Sequence, residues 1–499
     1  MRHDQGDRGL PGQIEGQIER RKEDKVMRIL ALEASTTSAK AMLYDTKSRT
    51  YEEKIKAYGK MYDEEVLHDA DKVFDCMAKI GRELAGGREI SIISLSGTWH
   101  SVLLCDRRMR PATPVYPWSY TGAAPLCGRL REDASFVEDY YQKTGCMVNA
   151  TYPFFKLLFL REQGYDLKDY YIMGQGTYNT YRLTGERVAS RCMISGTGLM
   201  NIHTREYDDE ILKMAGIARS QLSRLTESNH TQPLSEEGAR ILGLRPGIPV
   251  IVANSDGGLN QIGVGAIKEN VMTFSVGTSG AMRISTAKPM IPKSPSTWCY
   301  LSPKGWLSGA ATAGCCNCID WFVEHVAAGK TDYSQLEQGE DEILDTPIFL
   351  PFLFGERCPG WNDKRGGGFA GLKAGHDIKD MYRGVQQGIL FNLYHCYRLL
   401  TEVAGEPEKI KLSGGILHSR VWTQMCADIF GKEMEIDQSK QSSLMGAVIL
   451  AREIIGDLKD ISDYEPSVKT TVRPDMARNE RYRKQFERYL QMYRSMEQE

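Results

Sequence analysis

The sequence predicts an α/β protein whose two related domains face one another. Two hairpins of one design carry that reading. Near the start, Ile29 to Leu32 is an apolar strand, Glu33-Ala34-Ser35-Thr36-Thr37-Ser38 is a turn of small polar residues, and Ala41 to Tyr44 is a second strand. At mid-chain, Val271 to Val276 runs into Gly277-Thr278-Ser279-Gly280, and the chain resumes as Ala281-Met282-Arg283. A design that recurs once per half points to a repeated unit. Length is the third observation: 499 residues leave room for two or three domains with sizeable cores.

Composition narrows the class. Lysine and arginine number 63 against 65 acids, a net charge of -2, which excludes the basic excess of a general nucleic-acid binder. No run is long and apolar enough to span a bilayer, and the first residues lack the apolar stretch of a signal peptide, so a cytoplasmic protein is expected. Among the twelve cysteines, Cys315, Cys316 and Cys318 cluster, but no second Cys/His pair follows at zinc spacing. Buried free thiols are the expectation.

Along the chain, residues 1–26 are polar and without apolar period, which reads as a disordered extension. One domain is expected over 27–266 and a second over 267–499. Ile90 to Ser96 is a strand that exits through Gly97-Thr98-Trp99-His100 before Ser101 to Cys105 continues. An indole beside an imidazole suits a polyhydroxylated ligand, with C–H faces for Trp99 and hydroxyls for His100. Pro114 to Tyr120 is an aromatic loop, and a helix begins near Lys156. Gly185 closes a helix at Leu183-Thr184.

Val250 to Ala253 is a buried strand that runs into Asn254-Ser255-Asp256-Gly257-Gly258. An acid after one buried strand and a Gly/Thr/Ser turn after the next is what phosphoryl transfer to a hydroxyl asks for. A carboxylate must accept the hydroxyl proton, and backbone N–H groups must meet phosphate oxygens. Gly329-Lys330-Thr331 is not a Walker loop, because the earlier glycine is missing.

Farther on, Gly309 to Gly314 is expected to open a helix containing Asp320-Trp321-Phe322, and Phe349 to Phe354 to be a strand entering Gly355 to Trp361. Met381 to Tyr397 reads as a long buried helix. Ile410 to Ser413 exits into Gly414-Gly415, a turn that admits a flat ring or a phosphate close to the backbone, before a helix over Trp422 to Phe430. Ser442 to Ala451 is helical. Arg478 to Met496 is an amphipathic helix whose Tyr482, Phe486, Tyr489 and Tyr493 share a face that should pack into the core.

One ordered set of segments carries a family resemblance: ALEASTTSAKAMLYD, SLSGTWH, LTGERVASRCMISGTGL, PVIVANSDGGLNQIGVGA, FSVGTSGAMR, FLPFLFGERCPGWNDKRGGGFAGL, LSGGILHSRVWTQMCADIFG and SSLMGA. From about Ile29 to about Ala451 the chain resembles the FGGY carbohydrate kinases, the gluconokinase-like and xylulokinase-like branch above all. The resemblance implies two actin-like (ribonuclease H-like) domains with a catalytic cleft between them. It implies transfer of the ATP γ-phosphate, with Mg²⁺, to a hydroxyl of a sugar, polyol or sugar acid. It assigns Asp256 as the catalytic base and Trp99 and His100 to the substrate. The nucleotide falls to Thr36, Thr37, Ser38 and Lys40, to Gly277, Thr278 and Ser279, and to Gly314, Gly414 and Gly415. Glu33 is placed on the metal, and a homodimer is expected.

Some positions depart from the family pattern. The first turn usually reads Asp-x-Gly-Thr, and here it is Glu33-Ala34-Ser35-Thr36. Thr98 stands where the family has Gln, Tyr120 where it has Asp, and Thr312-Ala313 where the branch has paired Asn. These departures motivate a second reading, a catalytically weakened member that binds sugar or nucleotide as a regulatory protein.

Overall fold

The computed structural model describes residues 26–329, 331–337, 346–437 and 441–495. The expected disordered extension over 1–26 therefore lies, apart from Val26, outside the described residues.

Two sheets organise the chain. In the N-terminal half, β1 (Arg28–Ala34), β2 (Ser38–Asp45) and β3 (Thr50–Ala57) form an antiparallel meander. Helix α1 (Ala70–Ala85) crosses to β4 (Ile92–Gly97), which runs parallel to β1. An edge strand, β5 (Thr231–Pro233), pairs antiparallel with β6 (Pro249–Ser255), which runs parallel to β4. The order is β5-β6-β4-β1-β2-β3.

The C-terminal half repeats this plan. Its strands are β7 (Val271–Val276), β8 (Gly280–Thr286), β9 (Trp298–Leu301), β10 (Trp306–Thr312), β11 (Lys409–Ser413), β12 (Met434–Asp437) and β13 (Val468–Val472). They are ordered β9-β10-β8-β7-β11-β12-β13, with β11 parallel to β7 and β12 parallel to β11. Thus β7, β8 and β10 correspond to the first meander, β11 and β12 to the two parallel strands β4 and β6, and β13 to the antiparallel edge β5.

Local sequence explains the elements that matter for the site. β1 is buried along nearly its whole length, as expected of a strand covered on both faces. Outer strand β3 is exposed throughout and carries Glu52, Glu53, Lys54 and Lys56, charges that discourage pairing with another sheet edge. Helix α1 is capped by Asp69, whose side chain accepts from the Lys72 N–H, and closes at Gly86 in the left-handed region. A second helix, α2 (Pro153–Glu162), carries Lys156.

The helices that follow β6 and β12 join the halves. They are α3 (Asp256–Gly263) and α5 (Ser442–Ile454), separated in the chain by the long buried helix α4 (Ile378–Ala404). Although α5 belongs to the C-terminal half in sequence, its Leu444, Ala447 and Val448 pack with Ile29, Ala31 and Ile92 behind the first sheet. The last helix, α6 (Met476–Ser495), buries Tyr482, Phe486, Tyr489 and Tyr493 as the sequence implies.

Two expectations need correction. Gly309 to Thr312 does not open a helix but is the end of strand β10, and the helix begins at Cys316. Small residues are required in that strand because a Cβ at Gly309 would fall 2.5 Å from the Trp298 ring and 2.6 Å from the Met282 carbonyl oxygen. The strand expected over Phe349 to Phe354 spans only Ile348–Leu350, since Pro351 has no N–H to continue the ladder. All twelve cysteines are free thiols, and only Cys76 and Cys316 are incompletely buried. Among the described residues no helix is long and apolar enough to cross a membrane.

Candidate active site

Asp256 is the first residue of α3, directly after β6. Ser255 caps that helix by accepting from the Gly258 N–H at 3.0 Å, which sets the direction in which Asp256 leaves the sheet. The Gly257 N–H donates to Asp256 Oδ1 at 2.7 Å. Glycine is needed there, because a Cβ would fall 2.5 Å from the Trp99 ring. Burial raises the Asp256 carboxyl to about 6, the negative charge of Glu33 adds to the rise, and the Gly257 N–H and Arg283 oppose it.

Asp256 lines a cavity of about 290 Å³ between the two halves. Thr36, Trp99 and His100 line it from the N-terminal half, and Ser279, Arg283 and Arg357 from the C-terminal half. Buried Trp99 donates its indole N–H to the Cys192 carbonyl at 2.9 Å. His100 takes a left-handed backbone (φ 65°) and directs Nδ1 at the Gly196 carbonyl. A carbonyl can only accept, so Nδ1 carries the proton and Nε2 is left as an acceptor. Burial lowers the His100 pKa to about 3, so the ring is neutral. Lys156 Nζ donates to the His100 carbonyl at 3.0 Å and to that of Thr151 at 2.7 Å. Trp298 and Tyr300, stacked 4.4 Å apart, complete an aromatic wall with Trp99.

The first turn divides. Thr36 lines the cavity and accepts from the Trp118 indole N–H at 3.0 Å. Thr37 faces a neighbouring groove that also holds Lys60 and His68. Ser38 contacts Ser35 at the hairpin. Glu33, 1% exposed, sits behind the cavity rather than on its lining; Lys40 donates to one of its oxygens and Ser96 to the other, both at 2.8 Å. Lys40 is therefore engaged with Glu33.

The glycine turns converge at the C-terminal end of β7. Gly277 accepts from the Cys316 N–H at 2.8 Å. Gly414 (φ 101°) lies against Val276, where a Cβ would fall 2.4 Å from the carbonyl oxygen, and Gly415 and Gly314 flank Cys316 and Pro351. At Gly277 itself an added Cβ would meet only the Ser279 carbonyl oxygen, at 3.9 Å, so this backbone is open to a ligand. Thr278 is exposed and Ser279 lines the cavity.

Arg283 and Arg357 are cavity residues to which the sequence reading gave no role. A period-two count along β8 from Ser279 through Ala281 puts Arg283 on the same face, a signal that was available. Arg357 gave none, because its loop is placed by distant contacts: the buried Glu356 accepts from Arg365 and from the Tyr493 hydroxyl of α6, each at 2.7 Å.

Duplicated domains presenting an acid and an open glycine turn to one shared cavity form a phosphotransferase architecture. The family model for the FGGY family of carbohydrate kinases, N-terminal domain, matches residues 28–263, and that for the C-terminal domain matches residues 272–452. The chain is 29% identical over 469 residues to a gluconokinase from Bacillus subtilis (strain 168), covering 89% of this chain and 91% of the relative. A gluconate kinase structure from Lactobacillus acidophilus superposes with a TM-score of 0.90 at 28% identity, covering 95% of this chain and 98% of that one. A ligand-bound xylulose kinase from the same organism gives 0.88 at 28% identity, with 94% and 98% covered. The chain belongs to the FGGY family of carbohydrate kinases, with the two-domain actin-like fold, and is a phosphotransferase acting on a carbohydrate with a nucleotide as co-substrate.

Proposed function

We propose that this chain transfers the γ-phosphate of ATP to a hydroxyl of a gluconate-like or xylulose-like acceptor, with Asp256 as general base. One observation carries the reading: Asp256 lies on the same cavity as Ser279 of the open Gly277–Ser279 turn. An acceptor hydroxyl beside Asp256 gives up its proton as its oxygen bonds to the γ-phosphorus, and the bond from that phosphorus to the β–γ bridging oxygen breaks to release ADP. A carboxyl held near 6 is ionised at neutral pH yet basic enough to take that proton.

Trp99 and His100 hold the acceptor, and the N–H groups around Gly277, Thr278 and Ser279 receive the phosphates, with Gly314, Gly414 and Gly415 shaping the nucleotide side. The residues present fit Mg²⁺ held mainly through the phosphates. Among the described residues no cluster of three His, Cys, Asp or Glu forms a protein cage, and Asp256 is the carboxylate on the cavity wall. Glu33, behind that wall, acts on the metal only indirectly. Mg²⁺ supplies neutralisation of phosphate charge when bound.

The test is ADP release from ATP and Mg²⁺ across sugars, polyols and sugar acids, beside an Asp256→Asn control. Turnover on one compound, lost in the control, is expected. Absence of turnover across the panel, with ATP still raising the Tm, would favour the regulatory binding protein instead.

A further inference from the structure

The cavity holds more positive charge than the phosphotransfer reading uses. Arg283 and Arg357 both line it, and the Nε of each is buried without a hydrogen-bond partner. Neither guanidinium forms an ion pair with any described residue. Both side chains are half-buried and Arg283 already acts on the charge of Asp256, yet two guanidinium groups with buried, unbonded Nε atoms on one wall mark a place where a ligand supplies further counter-charge.

Position along the strand separates Arg283 from the phosphate turn. Arg283 stands four residues along β8 from Ser279, about 13 Å of extended strand. It reaches the Trp99 wall: the point where a Gly257 Cβ would stand is 2.5 Å from the Trp99 ring and 3.5 Å from Arg283 Nε. This end of the cavity also holds His100 and Tyr300. A planar guanidinium fork matches a carboxylate. A neutral polyol of the same length would leave that fork unpaired, and a site built around a polar group rejects the analogue lacking it.

We propose that Arg283, with Arg357 beside it, holds the carboxylate of the acceptor, so that the enzyme selects polyhydroxy acids over neutral ketoses and polyols. The inference rests on the phosphotransfer reading above and names its substrate class and specificity residue.

The experiment measures kcat/KM for a series of aldonates, the matching alditols that carry CH₂OH in place of the carboxylate, and xylulose. It uses the wild type, Arg283→Gln and Arg283→Lys. The wild type should favour one aldonate over its alditol by about 100-fold or more. Arg283→Gln should lose most of that ratio through KM for the acid, with KM for ATP and the Tm little changed, and Arg283→Lys should recover part of it. Equal use of alditol or xylulose by the wild type would overturn the inference while leaving the kinase reading intact. So would an Arg283→Gln variant that loses turnover on all acceptors together and binds ATP more weakly, since Arg283 would then serve the phosphate. Absence of turnover on every compound would overturn both. If Arg283→Gln fails to fold, the wild-type ratio and the lysine variant decide.

Discussion

Gly263 lies so close to Ser442 that a Cβ on the glycine would stand 1.8 Å from the serine carbonyl oxygen. The relation is reciprocal one turn on, where a Cβ at Gly446 would stand 1.9 Å from the Leu259 carbonyl oxygen. Helices α3 and α5 thus meet backbone to backbone, and α3 begins with the proposed base. Gly446→Ala should force these helices apart at a cost of about 3 kcal/mol. Thermal and denaturant unfolding check the stability. A fall in kcat beyond that expected from the folded fraction would show that the displacement reaches Asp256.

Asp256→Asn should lower kcat by about 10²- to 10⁴-fold if its role is proton acceptance. The fold raises this carboxyl from its ordinary value to about 6. A raised carboxyl pKa means that the folded state disfavours the ionised form, so above about 6 the charge detracts from stability. The Tm of the variant at pH 7.5 should therefore equal or exceed that of the wild type, while ADP release is lost. A large drop in Tm would instead make Asp256 a structural residue.

The same shift fixes the pH profile. As pH falls through about 6, Asp256 takes up a proton and activity should decline, whereas above that point it should level off. Burial is the larger cause and the charge of Glu33 the next. Glu33→Gln removes that repulsion and frees Lys40, and both changes favour ionised Asp256. The acidic limb of kcat/KM should move to lower pH. An unmoved limb would mean that another group controls it.

Lys156 acts through His100. Its two hydrogen bonds, to the carbonyls of His100 and Thr151, hold the left-handed backbone that presents the imidazole. Lys156→Met should raise KM for the acceptor about tenfold or more through misplacement of His100, with KM for ATP unchanged. Parallel rises in both would point to a general loss of structure.

Glu356 and Arg365 form an ion pair with side chains 0% and 5% exposed. Glu356→Gln removes the buried charge that faces Arg365 and should destabilise the protein by about 3 kcal/mol. Because Arg357 is the next residue, acceptor KM should also rise, and steady-state kinetics beside chemical denaturation separates the two effects.

The elements legible in the sequence were those set by local rules. The two hairpins, the strand that delivers Asp256, the helix end at Gly185 and the aromatic face of α6 all follow from period, turn chemistry and capping over a few residues. Misjudged elements had their causes elsewhere. Gly309 to Thr312 became a strand because Trp298 and Met282 crowd it from neighbouring strands, and those contacts have no trace in the local sequence.

The site divides the same way. Sequence order alone established duplicated halves, an acid after a buried strand, glycine turns and a Trp-His pair, because each is a matter of residue type at short spacing. Tertiary structure decided which of them share a cavity. It set Thr36 on the wall and Glu33 behind it, engaged by Lys40 and Ser96. It also brought Arg283 of one strand beside Arg357 of a loop 74 positions away in the numbering. The reason is physical. Conformation along a strand is governed by neighbours in the chain, whereas the burial and charge that tune a reacting group come from whatever folding packs against it.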